Sequence, residues 1–188
     1  MFRVIDIETT GLNDDCEIAQ LSFWTLDEKL RTIGFKNLYF NISSEMPKEA
    51  YKVNHLTKER LEQLSGGVYF KDRKQEILDY LKGYVLVAHN AEFEKRILNL
   101  NLDNALQDNE WLCTMKRYTP TLAIKINNGD EYKFCKLTEL FNYAVEASKY
   151  TEEEVNEMYL TNTKLKVCNF HDALYDSFCT AFSFYVLG

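Results

Sequence analysis

The chain is short of almost everything that marks a linker-rich, disulfide-stapled or membrane-bound protein. Its 188 residues include 7 Gly and 2 Pro, with no repeat or low-complexity tract, so a single domain over residues 1–188 is expected. The 5 cysteines, Cys16, Cys113, Cys135, Cys168 and Cys179, are odd in number and widely spaced. They form no Cys-x-x-Cys pair, which argues against a zinc site or a redox dithiol. Cys16 and Cys179 lie in apolar patterns and read as small core residues. No apolar run approaches membrane-spanning length and the N-terminus lacks a secretory pattern, so no membrane partner is expected and a reducing cytoplasm is the expected location. Basic residues are also few: 22 Lys and Arg against 29 Asp and Glu give a formal charge of -7. That balance argues against holding long nucleic acid on a broad basic surface.

What is present is core material. Hydrophobic residues make up 46% of the chain, with 12 Tyr and 12 Phe, enough to bury a substantial interior. Residues Phe2 to Ile7 read as a buried strand, and the runs Cys16 to Leu26 and Arg31 to Ile42 as an antiparallel hairpin added to it. Pro47 suits the first turn of a short helix through Asn54, and Thr57 can cap another over Lys58 to Leu64. His55 falls between them and reads as a turn or packing residue. After the break at Gly66-Gly67, Lys71 to Leu81 carries Ile77, Leu78 and Leu81 on one helical stripe. Tyr84 to Ala88 is strand-like and stops at His89-Asn90, where Asn90 can cap a helix bearing Phe93, Ile97 and Leu98 on one side. Trp111 to Thr119 is ambiguous between strand and helix. Asn127-Asn128-Gly129-Asp130 is a turn signal, and Lys136 to Ala144 is amphipathic with Leu137, Leu140 and Phe141 inward. Thr151 caps a helix whose opening acids read as a solvated face. The last helix, Asp172 to Leu187, has Leu174, Phe178, Ala181, Phe182 and Tyr185 at core spacing, with His171, Asp172 and Asp176 as polar exceptions near its start.

The stretch that organises the rest is Asp6-Ile7-Glu8-Thr9-Thr10-Gly11-Leu12. Side chains alternate across a strand, so Asp6 and Glu8 share a face while Ile7 packs on the other. Two neighbouring carboxylates repel, and a divalent cation or a bound proton relieves them. Asp-x-Glu by itself is common on solvated strands; its position at the end of a core strand, beside a small-residue turn, is what favours a cation site.

The full string resembles the first motif of the DEDDh 3'-5' exonucleases, the family of the proofreading epsilon subunit of bacterial DNA polymerase III, RNase T and oligoribonuclease. Two later segments match in order. His89-Asn90-Ala91-Glu92-Phe93-Glu94 resembles the second motif, with Glu94 where the family places Asp. His171-x-Ala173-Leu174-x-Asp176 resembles the third, with His five residues before Asp. The likeness is thinnest between Val145 and Asn169.

The resemblance implies a ribonuclease H-like α/β fold, a mixed sheet of about five strands with helices on both faces. It also implies two divalent ions, Mg2+ or Mn2+, about 3.5–4 Å apart, the arrangement that hydrolyses phosphodiesters. Asp6 would bridge them, Glu8 and Asp176 would complete one, and Glu94 would serve the other. His171 would be the general base. Thr9, Thr10 and Leu12 resemble contacts to the terminal nucleotide, Phe93 a stacking surface or a core residue, and His89 and Asn90 supporting or substrate contacts.

The expected function is cleavage at single-stranded nucleic acid 3' ends, DNA favoured, releasing nucleoside 5'-monophosphates. RNA or short-oligonucleotide trimming by the same chemistry is an alternative. So is a catalytically weak interaction module with residues 145–169 as its partner surface. The acidic balance favours short substrates or a recruiting protein partner, such as a polymerase. An unrelated phosphohydrolase acting on nucleotides would require the ordered acids to be coincidence.

Overall fold

A computed structural model describes residues 1–126 and 131–188. Five strands form one mixed sheet: β1 (Phe2–Thr9), β2 (Ile18–Leu26), β3 (Thr32–Tyr39), β4 (Val85–Ala88) and β5 (Trp111–Cys113), in the order β3-β2-β1-β4-β5. β1 and β3 each pair antiparallel to β2, while β4 runs parallel to β1 and β5 parallel to β4. The sequence accounts for these places. Every residue of β2 is buried, which suits an interior strand, whereas β3 leaves Thr32, Ile33 and Lys36 exposed at the edge.

Among the described residues, eight α-helices connect and cover the sheet: α1 (Lys48–Asn54), α2 (Lys58–Ser65), α3 (Lys74–Leu81), α4 (Ala91–Asn101), α5 (Thr114–Leu122), α6 (Leu137–Ala147), α7 (Glu152–Thr163) and α8 (Ala173–Leu187). Alternation along β1 splits the interior into two cores. Ile5 and Ile7 face a layer with Phe23, Ile77, Leu81, Ile97 and Leu98 from β2, α3 and α4. Val4 faces the other way, toward Trp24, Phe141, Tyr159, Phe178 and Phe182 from β2, α6, α7 and α8. Cys16 and Cys179 are buried, as their surroundings in the sequence suggested. No helix among the described residues is long and apolar enough to cross a membrane.

Thr57 caps α2 by accepting from the Arg60 amide, and Gly66 ends that helix in the left-handed region at φ 63°. His55 likewise closes α1 at φ 56°, the turn role expected of it. Thr151 and Glu154 cap α7 reciprocally, leaving the opening acids exposed.

Three expectations need correction or refinement. The helix expected from Lys71 begins at Lys74, because Phe70–Arg73 forms a tighter 3-10 turn in which the Asp72 carboxylate accepts from the Tyr69 amide. Trp111 to Thr119 is both strand and helix: β5 ends at Cys113 and α5 starts at Thr114. Tyr185 is 52% exposed rather than core, on the outer side of a turn whose neighbours Phe182 and Phe184 are buried. The turn signal at residues 127–130 lies outside the described residues.

Candidate active site

The site lies where β1 ends. Across the antiparallel pair, Val4 faces Trp24, Asp6 faces Ser22 and Glu8 faces Gln20, all on the face covered by α8. That face changes along the strand from apolar to polar, so α8 packs on Val4 and Trp24 and brings its N-terminal turn over the two acids. A bulge at Ala19, opposite the Glu8–Thr9 step, then ends regular pairing. Such irregularities recur beside functional sites because they re-aim side chains. Glu94, one turn into α4 from the end of β4, is buried and contributes a further carboxylate.

Glu8, His171 and Asp176 offer ligand atoms all within 4.8 Å of one another. Asp6 and Glu94 are electrostatically tied to this trio: the charges of Asp176 and Glu8 act on Asp6, and that of Glu94 acts on Glu8. Burial, followed by the charges of Asp176, Glu8, Glu94 and Asp172, raises the Asp6 carboxyl well above its ordinary range. Burial and the charges of Asp176, Asp172 and Glu94 push Glu8 up to about 9, against a hydrogen bond from Asn54 that lowers it. Burial takes Glu94 to about 8 and Asp176 to about 7, the latter opposed by the His171 amide. The protein thus gathers negative groups, and among the described residues no cationic side chain is seen to offset them. Glu94 Oε2 and Asp176 Oδ1 are buried with no hydrogen-bond partner among the described residues, although buried carboxylate oxygens are normally satisfied.

Beside the acids opens a cleft of about 820 Å³. Its floor is Glu8 and the turn Thr9 to Leu12, and its sides are Phe93 and the α1 residues Ala50, Val53 and Asn54. The turn is tied down at several points. Thr10 N donates to Glu17 O at 2.9 Å, and Arg96 on α4 donates to the Leu12 carbonyl at 2.8 Å while pairing with Asp14.

The Exonuclease family model, RNase T type, matches residues 4–183. The chain belongs to the RNase T exonuclease family. This is the DEDDh-type 3'-5' exonuclease family that the three acidic motifs resemble, and its fold is ribonuclease H-like. The DNA polymerase III epsilon subunit of Treponema pallidum (strain Nichols) is 29% identical over 159 residues, covering 81% of this chain and 70% of the relative. The Rickettsia prowazekii (strain Madrid E) epsilon subunit is 30% identical over 101 residues, and there the match spans only 43% of the relative. Exonuclease X in complex with 5' overhanging duplex DNA superposes with a TM-score of 0.61 at 20% identity, covering 98% of this chain and 89% of that one. An Exonuclease I structure gives 0.71 at 14% identity, with 99% of this chain matched to 40% of that one.

Within this exonuclease the residues expected at the site fall into groups. Asp6, Glu8, Glu94 and Asp176 gather with His171, which is exposed and holds φ 66°, an uncommon backbone state for a non-glycine residue. Thr9, Thr10, Leu12 and Phe93 line the cleft. The Thr9 hydroxyl donates to Gly11 O at 2.6 Å, whereas Thr10 Oγ1 accepts from Glu17 N at 2.9 Å and keeps its own proton. Leu12 is 76% exposed, an apolar side chain held up at the cleft mouth. Phe93 is half-buried under the Arg96 guanidinium, so both readings of it, core and surface, apply in part.

His89 was expected as a supporting or a substrate contact. It does not line the cleft, and both ring nitrogens are engaged, Nδ1 with Thr114 Oγ1 at 3.2 Å and Nε2 with Cys135 O at 2.9 Å. It ties the end of β4 to the segment entering α6. Asn90 is exposed at the start of α4, outside the cleft lining, and its side chain makes no capping bond.

Sequence reasoning missed Asn54 and the wall that α1 supplies. Asn54 is buried and donates to Thr9 O at 3.2 Å. No local pattern points a residue at the end of one helix toward a strand so distant in the chain. Gln20 was also missed. Its signal was an amide in an otherwise apolar run, directly across from Glu8.

Proposed function

We propose that the chain is a divalent-metal-dependent exonuclease, one domain over residues 1–188, that trims single-stranded 3' ends, preferably of DNA, to nucleoside 5'-monophosphates. The observation that carries this reading is the pair of unpartnered buried oxygens, Glu94 Oε2 and Asp176 Oδ1, within a cluster of mutually repelling carboxylates. Hard cations bind oxygen ligands, so the donor set fits Mg2+ or Mn2+. Asp6, Glu8, Glu94 and Asp176 would hold two such ions. When bound, they would offset the charge that builds on the phosphoryl, attacking and leaving oxygens.

The chain's own groups do the rest. His171, exposed beside Glu8 and Asp176, accepts a proton from the attacking water at an imidazole nitrogen. The water oxygen bonds to phosphorus as the bond to the 3'-oxygen of the preceding nucleotide breaks, and that oxygen takes a proton from solvent. The His171 amide donates to Asp176 Oδ2 at 3.1 Å, so base and carboxylate are held by one turn of chain. In the cleft, the free Thr10 proton can be donated to a sugar hydroxyl, and Leu12 and Phe93 offer apolar contact to the last base. Base stacking on such a surface contributes about 1–3 kcal/mol.

The preference for DNA draws on the epsilon-subunit relatives and on the DNA held by Exonuclease X. The net charge of -7 gives little attraction for long strands, which fits delivery by a partner such as a polymerase. The test is incubation of an end-labelled single strand with Mn2+ or Mg2+, resolving products by size. Mononucleotides released from the 3' end by the wild type, and at least about 100-fold more slowly by Asp6→Ala, are expected. Metal binding with no release, at micromolar protein, would overturn the assignment.

A further inference from the structure

We propose that Gln20 is a positioning residue of this exonuclease: it fixes the N-terminal turn of α8, and with it Asp176 and His171, in register with Glu8. The inference rests on the roles proposed above for those residues.

Gln20 is 1% exposed and sits directly across from Glu8 in the β1–β2 pair. Its amide is used on both sides. Nε2 donates to Asn37 Oδ1 on β3 at 2.9 Å and to Asp172 Oδ1 at 3.2 Å, while Oε1 accepts from the Ala173 amide at 3.2 Å. Asn37 Oδ1 also accepts from Ser22 Oγ at 2.6 Å, so the strand side of the bridge is anchored in turn. On the helix side, Asp172 Oδ1 is the capping oxygen that accepts from Leu174 N at 2.9 Å. One side chain therefore grips both the cap and the first amide of α8.

Packing alone would not supply this. Trp24, Phe178 and Phe182 hold α8 against the sheet through apolar contact, which has no strong preference along the helix axis. Trp24 Nε1 donates to Leu174 O at 3.1 Å and adds a second polar tie, further from the acids. Gln20 is the tie at the acid end, and hydrogen bonds of this kind are directional. Displacing a catalytic group by about 1 Å can cost on the order of 100-fold in rate. Groups that orient ligands from behind typically change metal affinity or activity by about 10- to 100-fold when removed.

The experiment compares wild type with Gln20→Met, which keeps side-chain length and loses both donors and the acceptor. Gln20→Asn is the second variant, keeping an amide for Asn37 while withdrawing it by about 1.5 Å from α8. Four quantities are measured: kcat and KM on a short single strand, Mn2+ affinity from the spin-resonance signal of free Mn2+, and hydrogen exchange at the Ala173 and Leu174 amides. In both variants kcat should fall about 10- to 100-fold with KM within about two-fold, Mn2+ affinity should weaken by a similar factor, and Ala173 should lose protection. Should Gln20→Met fail to fold, Gln20→Asn decides alone. Folded variants with wild-type kcat and Mn2+ affinity, and only a lower melting temperature, would overturn the proposal. Absence of turnover by the wild type would instead sink the proposed activity, while Mn2+ binding and exchange would still test Gln20.

Discussion

Glu94 shows what one side chain decides at this site. Its carbon chain is longer than that of Asp by about 1.5 Å, and it stands where the resembling motif places Asp. It is 4% exposed, with Oε2 unpartnered, so the surrounding protein is shaped around the longer residue rather than letting it swing into solvent. Glu94→Asp, although it restores the family's residue, should therefore lower mononucleotide release, by on the order of 100-fold if the carboxylate retreats by about 1 Å. Steady-state kinetics on a labelled strand check this, and equal or higher activity would show that the site tolerates either length. The acids and His171 were legible because each lies in a motif with fixed neighbours. Asn54 and Gln20 were not, because their partners are set by strand pairing and helix docking, which leave no local signature.

Among the elements, α7 is the informative one. It occupies the segment where the resemblance is thinnest, yet it is built by ordinary rules: Thr151 and Glu154 exchange hydrogen bonds at its start, and Val155 and Tyr159 enter the core beside Trp24. Thr151→Ala leaves the Glu154 amide without its capping acceptor and should cost about 1 kcal/mol. Urea denaturation should show that loss while exonuclease rates at 25 °C stay unchanged, since α7 contributes no residue to the cleft. Capping, strand alternation and helical stripes carried most of the remaining elements. The exceptions have physical causes. Trp111 to Thr119 changes from strand to helix because Trp111–Cys113 finds a parallel partner in β4, a long-range event. The helix then stops soon after Pro120, which has no amide to donate.

For the molecule as a whole, gathering the acids costs stability that a cation can restore. Carboxyls raised in the folded state bind protons more tightly there than in the unfolded chain. The stability these groups contribute is therefore full below the unfolded values near pH 4 and is lost as pH rises through about 7 for Asp176, 8 for Glu94 and 9 for Glu8. Metal-free protein should accordingly melt at a lower temperature at pH 8.5 than at pH 6. Saturating Mn2+ should reverse that loss, adding about 2.7 kcal/mol at 100 times its dissociation constant. Scanning calorimetry with chelator and with Mn2+ checks both arms. A metal-free melting temperature that climbs over this interval would contradict the raised carboxyls.

Taken alone, the sequence determined which chemical groups are available and in what order, because alternation, capping and motif spacing are properties of neighbouring residues. It placed Asp6 and Glu8 on one face and put His171 just ahead of α8. Only the tertiary structure decided that β1, α4 and the start of α8 meet, that Gln20 and Asn54 hold them, and that His89 is spent on Thr114 and Cys135. Repulsion and burial act through space, so the charge of this site exists only once distant segments have been packed together.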